Sequence, residues 1–165
     1  MKSVKEIIDS YPSVAITGTR HSTVVPPIAY DIADHLATRK KPIFVGDARG
    51  IDSVFISRVQ DKHTFYAKSK KAVHLVQRST LMIKTAATHG SILVAFPASH
   101  CPAQIVPSRR FEGHGSGSWG SIALAIFYRM PVLVYYPDYS PGTYTPAPFK
   151  QLGDWLLFMP SPTLL

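Results

Sequence analysis

The chain has 165 residues, 45% of them hydrophobic and 17% charged, which indicates a folded domain with a real core and excludes a disordered chain. Lys and Arg number 18 against 10 Asp and Glu, and the net charge of +8 favours anionic partners such as nucleotides or nucleic acid. A single cysteine, Cys101, excludes a disulfide framework within the chain and favours a reducing, cytoplasmic compartment. We expect no signal peptide and no membrane span, because no apolar run is long enough.

The first part of the chain alternates short apolar segments with segments of helical periodicity. Each of the first two predicted strands runs into a glycine turn, and Ser3 is the expected cap of the first helix. In chain order we predict a helix over 3–10, a strand over 14–18, a helix over 27–39, a strand over 42–46, a helix over 51–59 and a strand over 64–67.

The second part continues the alternation and then changes in composition. We predict a helix over 70–88, a strand over 91–96, a helix over 119–129 and a strand over 131–136. Prolines crowd the sequence from Asp138 onward. The pattern therefore predicts one domain over 1–137, followed by a largely irregular tail over 138–165 that packs on the domain or on a partner.

The predicted strands are short and almost wholly apolar, which is typical of a parallel sheet covered by helices on both faces. We therefore predict a three-layer, Rossmann-like, doubly wound α/β fold with a mainly parallel sheet of about five or more strands. Ligands of such sheets bind beyond the carboxyl ends of the strands, at the topological switch point. Gly18, Gly46 and Pro97 each follow a predicted strand and should lie at this one edge.

A glycine-rich loop, residues 113–121 with the sequence GHGSGSWGS, precedes the last predicted helix. One interpretation is a phosphate cradle at the helix N-terminus, formed by residues 115–118. The other is a flexible surface loop that ends in an N-cap at Ser118 or Ser121. The flanking aromatic residues, Phe111 and Trp119, could stack on a base or pack against the helix.

Three further segments, taken together with this loop, resemble a known superfamily. The segment 15–20 (AITGTR) resembles a strand that ends in a G-[ST]-R turn. The segment 45–52 (VGDARGID) resembles a G-G-A-R-G-[IV]-D turn, and 78–97 resembles a block that runs from R-N-x-x-[ML] to L-[VI]-A-F-P. With the P-[VL]-x-V strand that follows the loop, residues 12–137 resemble the SMF/DprA–LOG superfamily. This superfamily includes DNA-processing protein A and the Lonely Guy phosphoribohydrolases.

The resemblance implies a nucleotide-type ligand at the strand ends, with phosphate on the glycine-rich loop. It also implies a homo-oligomer. No cofactor is implied, and the spacing of the seven histidines predicts no metal site. The ligand-binding residues implied are Gly18, Thr19, Arg20, Gly46, Asp47, Arg49, Gly50, Asp52, Arg78, Ser79, Pro97, Gly115, Ser116, Gly117 and Ser118.

The sequence departs from the superfamily pattern at chemically important positions. Asp47 stands where the pattern has its second glycine, and Ser79 stands where it has asparagine. The helix after the glycine-rich loop has no acid in its first turn, whereas the Lonely Guy enzymes carry their catalytic glutamate there. This departure argues against hydrolysis of that kind. The remaining candidates for a catalytic acid or base are Asp47 and Glu112.

Several side chains have two interpretations that the sequence leaves open. Arg20 could clamp a phosphate bidentately or lie in solvent. Arg49 could bind the ligand or pair with Asp52, and Asp52 could bind a ribose hydroxyl or complement the helix dipole.

Three functions follow from these patterns. The first is binding of a phosphorylated nucleotide or nucleotide-derived ligand by a sensor or sequestering module. The second is hydrolysis of an N-glycosidic or phosphate bond in a nucleotide. The third is single-stranded nucleic-acid binding of the DprA kind, which the positive net charge would serve.

Overall fold

Helices and strands alternate along residues 2–161, the residues that the computed structural model describes. The helices are α1 (Val4–Asp9), α2 (Pro27–Thr38), α3 (Ile51–Arg58), α4 (Ala72–Thr88) and α5 (Gly117–Phe127), with a 3₁₀ helix at Ser22–Val24. The strands are β1 (Val14–Gly18), β2 (Ile43–Gly46), β3 (Lys62–Phe65), β4 (Ile92–Phe96), β5 (Val132–Tyr135), β6 (Lys150–Leu152) and β7 (Trp155–Phe158). The elements predicted up to residue 136 are confirmed, with bounds that shift by two residues or fewer.

The strands form one seven-stranded sheet in the order β3-β2-β1-β4-β5-β7-β6. Strands β1 to β5 pair in parallel, and the last two strands pair antiparallel. Gly18 lies opposite Phe96, and Gly46 lies opposite Phe65. The turns after β1, β2 and β4 therefore meet at one edge, as predicted. Strand order reverses between β1 and β4, which makes this the topological switch point.

Helices cover both faces of the sheet, which explains why the central strands are apolar throughout. Successive side chains of a strand point to opposite faces. On β1, Val14 and Ile16 pack with residues of α1, α2 and α3, whereas Ala15 packs with residues of α4 and α5. The protein thus has a three-layer, Rossmann-like α/β fold, and the predicted fold class is confirmed.

The helix starts follow the local sequence. Ser3 caps α1 through a capping box with Glu6, and Pro27 opens α2, where its missing N–H costs nothing. Gly50 precedes α3 with φ +79° and packs against the chain after β1, where an added Cβ would lie 2.5 Å from the Thr19 carbonyl oxygen. This close contact fixes the start of α3 beside the end of β1.

The segment after Asp138 contains two strands, although its proline content predicted an irregular tail. The prediction of a largely irregular tail is wrong for β6 and β7, which form an antiparallel hairpin and extend the sheet. Their two-residue turn, Gly153-Asp154, is a typical hairpin signal. Residues 162–165 of the predicted tail lie outside the described residues.

The hairpin is attached to the domain by apolar burial. Strand β7 pairs with β5, and Trp155 and Leu156 are buried. The Trp155 ring meets the Phe96 ring edge-on, with 5.6 Å between centroids. The hairpin therefore belongs to the same core as β4.

We expect Trp155→Ala to lower the free energy of unfolding by about 3–5 kcal/mol, because it leaves a cavity beside Phe96. Equilibrium denaturation measures the change. Met159→Ala is the matched control, since Met159 is 53% exposed and its loss should change stability by about 0.5 kcal/mol or less. A loss for Trp155→Ala as small as the control would contradict a structural role for the hairpin.

Candidate functional site

A cavity of about 440 Å³ opens at the carboxyl edge of the sheet, next to the switch point. The ends of β1 and β2 form its floor, α4 forms one wall and the glycine-rich loop before α5 forms another. The sequence-predicted residues that line it are Gly18, Arg20, Gly46, Asp52, Arg78, Ser79, Gly115, Ser116 and Gly117. Nine positions spread over a hundred residues of sequence thus converge on one cavity.

Arg78 of α4 crosses the floor of this cavity as a buried cation. Its Nη1 donates to Oδ1 of Asp47 at 2.5 Å, and its side chain is only 6% exposed. Oδ2 of Asp47 accepts from the Ala67 backbone N–H at 3.2 Å. Asp47 therefore joins α4 to the turn after β2 and to the segment after β3. The carboxylate is engaged in this ion pair, so the geometry does not present it as a free base.

Gly46 makes this crossing possible. A Cβ at Gly46 would lie 2.8 Å from Arg78 Nη1 and 2.8 Å from Asp52 Oδ2. Any other residue would push both side chains away. The glycine at the end of β2 is therefore required by the close approach of two charged groups.

Asp52 is a buried carboxyl group in the first turn of α3, 6% exposed, and it lines the cavity. Its Oδ2 accepts the Ala48 backbone N–H at 3.1 Å. Burial raises its pKa to about 6, opposed by the Ala48 hydrogen bond and by the positive charge of Arg78. The Asp52 carboxyl can thus exchange a proton near neutral pH.

The glycine-rich loop leads into α5 two residues earlier than predicted. Ser116 is the N-cap, and its side chain accepts from the Trp119 N–H at 3.2 Å. The predicted caps, Ser118 and Ser121, are instead buried within the helix. Ser116 rather than a later serine is the cap because its own N–H bonds back to Gly113 at 2.8 Å and turns the chain there.

The N-terminus of α5 faces open space. An added Cβ would meet no described atom within 4 Å at Gly115 or at Gly117. The N–H groups of Gly117 and Ser118 have no acceptor inside the helix, as in the first turn of any α-helix. Amide donors and the positive end of the helix dipole therefore lie at the rim of the cavity.

The two aromatic residues beside the loop differ in accessibility. Trp119 is fully buried, its Nε1 donates to the Ser99 carbonyl at 2.9 Å, and it packs near Tyr136. It cannot stack on a base. Phe111 is half-buried and lines the cavity, so it stays available to a ligand.

The other residues predicted for the site do not line this cavity. Asp47 and Arg49 line an adjoining groove, and Thr19, the first residue after β1, is buried. Arg49 does not pair with Asp52, whose contact is the Ala48 N–H. Pro97 lines a separate cavity near the ends of β4 and β5. Glu112 is exposed and lies near His114, and it lines none of these cavities.

Apart from Phe111, the apolar wall of the cavity was not assigned to the site by sequence. It is formed by Leu75, Val76 and Met82 of α4, together with Phe111. The helical period of α4 marked Leu75 and Met82 as apolar positions, but periodicity does not separate core from cavity lining.

Residues 2–161 contain no group of three or more His, Cys, Asp and Glu side chains placed to hold a metal ion. None of the helices in this part of the chain has both the length and the apolar character needed to cross a membrane.

We expect Asp52→Asn to stabilise the protein at neutral pH. The pKa of Asp52 rises from 3.8 to about 6 on folding, so wild-type stability falls as pH rises between these values. Asparagine does not titrate. The stability difference should therefore grow by about 3 kcal/mol from low to neutral pH, measured by denaturation across that range.

A stability difference for Asp52→Asn that stays the same from low to neutral pH would show that burial does not penalise the charge of the Asp52 carboxylate.

Comparison with protein-family models, curated proteins and solved structures finds no match to this chain.

Proposed function

We propose that the protein binds a phosphorylated nucleotide or nucleotide-derived ligand in the cavity at the switch point. One observation carries this proposal: the unobstructed N-terminus of α5 and the side chain of Arg20 line the same cavity. Amide donors and a guanidinium together bind phosphate by charge-assisted hydrogen bonds. The superfamily resemblance of the motifs supports the same ligand class.

The rest of the cavity suits the other parts of a nucleotide. The wall of Leu75, Val76, Met82 and Phe111 offers apolar contact and an aromatic ring to a base. The Asp52 carboxyl and the Ser79 hydroxyl are polar groups at the same cavity and can hydrogen-bond a sugar hydroxyl. The volume of about 440 Å³ falls within the usual range for small-molecule sites.

The biological role that we propose is that of a cytoplasmic sensor or sequestering module that acts as a homo-oligomer. The single buried Cys101 and the net charge of +8 support a reducing compartment and an anionic ligand. Binding without turnover fits an Asp47 that is held in an ion pair and a Glu112 that lies outside the cavity.

The decisive test is Gly117→Asp. The substitution places a carboxylate at the proposed phosphate position, and a Cβ at Gly117 would meet no described atom within 4 Å. An acid in the first turn of a helix is favourable, so the fold should be kept. We expect affinity for the ribonucleoside phosphates that bind the wild type to fall by about tenfold or more, measured by calorimetry.

Gly117→Ala is the matched control, since it adds a Cβ without charge and should change affinity by less than about threefold. The panel includes the four ribonucleoside 5′-monophosphates, their 5′-diphosphates and a single-stranded oligonucleotide. Binding confined to the oligonucleotide would replace the proposal with a nucleic-acid function. Failure of every nucleotide to bind, or equal affinity for both variants, would refute it.

A second candidate, hydrolysis of the bound nucleotide, is favoured by one observation. Asp52 is a buried carboxyl at the cavity whose pKa of about 6 suits proton transfer near neutrality. The structure thus points to Asp52, rather than to Asp47 or Glu112, as the acid or base of such a reaction.

We expect Asp52→Asn to abolish any turnover of a nucleotide that binds the wild type. The nucleotide should still bind, because the asparagine amide can also hydrogen-bond a sugar hydroxyl. Chromatography of the nucleotide after incubation with each protein measures the product. A bound nucleotide that the wild type returns unaltered would eliminate the hydrolase.

A further inference from the structure

A second hollow adjoins the cavity at the outer side of the turn after β2. This groove has a volume of about 650 Å³ and runs between that turn and the segment after β3. Groove and cavity share Arg20, Ala48, Leu75 and Arg78 as lining residues. The two hollows therefore adjoin along a common wall, and one ligand can span them.

Positive charge dominates the groove. Arg20, Arg49 and Lys70 line it, and within residues 2–161 none of these three forms an ion pair with a carboxylate. Asp47 is the carboxylate of the lining, and Arg78 already holds it. Arg49 and Lys70 line the groove but not the cavity, and no carboxylate within residues 2–161 pairs with either of them.

Along the shared wall the charges of Arg78 and Asp47 compensate each other, which leaves Arg20 as the unpaired cation of the wall among the described residues. Anions are therefore attracted to two places. One is the N-terminus of α5 together with Arg20 at the rim of the cavity, and the other is the part of the groove lined by Arg49 and Lys70.

From this charge arrangement we infer that the groove is a second anion subsite, and that the ligand is a nucleotide with a second phosphate group beyond the one at α5. The inference rests on the proposed function of the cavity. A nucleoside monophosphate satisfies the α5 end and leaves the groove cations to water. A nucleoside diphosphate or bisphosphate also reaches Arg49 and Lys70.

The test compares each of the four ribonucleoside 5′-monophosphates with its 5′-diphosphate and its 3′,5′-bisphosphate by calorimetry. In the wild type, at least one ligand with two phosphates should bind about tenfold or more tightly than its monophosphate. In the Arg49→Gln/Lys70→Gln double variant this ratio should fall towards one.

Lys68→Gln is the matched control, because Lys68 is exposed two residues before Lys70 and lines neither hollow. It should keep the wild-type ratio. Arg49, Lys68 and Lys70 are all exposed, so none of these substitutions should disturb the fold. Melting temperatures without ligand that match the wild type will verify this for the double variant and for the control.

The outcomes separate the two proposals. If monophosphates bind and Gly117→Asp weakens them, but a second phosphate adds nothing, the groove subsite is refuted and the proposed function stands. A ratio that the double variant leaves unchanged also refutes the subsite. If no nucleotide binds, the proposed function fails and the subsite fails with it.

Discussion

The ion pair between Arg78 and Asp47 is the contact on which the geometry of the site depends. It joins α4, the turn after β2 and the segment after β3, three pieces of chain that the sheet alone would leave independent. Because the guanidinium is buried, loss of its partner would leave a charge without compensation in a poorly solvated place. The absence of a side chain at Gly46 allows the pair to form, so a backbone requirement and an electrostatic one coincide.

A second carboxyl group of the site, Asp52, lies close to this ion pair. Asp47 and Asp52 stand on either side of the same short turn. Asp47 forms the ion pair with Arg78, whereas Asp52 is buried with one backbone donor. Burial raises the pKa of Asp52, and the positive charge of Arg78 opposes that rise without cancelling it.

The features that depend on short stretches of sequence could be predicted. Apolar strand runs and helical periods predicted β1 to β5 and all five helices, and strand-end turns placed Gly18, Gly46 and Pro97 at one edge. The features that depend on contacts between distant parts of the chain could not be predicted. Asp47 and Arg78 are 31 positions apart, so their pairing has no local signal. The hairpin of β6 and β7, and the choice between the two interpretations of Trp119, likewise depend on surfaces that exist only once the sheet has formed.

Removal of the C-terminal hairpin would leave β5 as the edge strand of the sheet. A protein that ends before β6 would expose the backbone donors and acceptors of β5, a strand of Val132, Leu133, Val134 and Tyr135. An apolar strand with an open edge is a template for pairing with other molecules. The native edge beyond it, β6, has only three residues and includes Lys150 and Gln151, which limits such pairing. The hairpin therefore protects the β5 edge from pairing with other molecules, and a shortened version of the domain has to retain it to avoid aggregation.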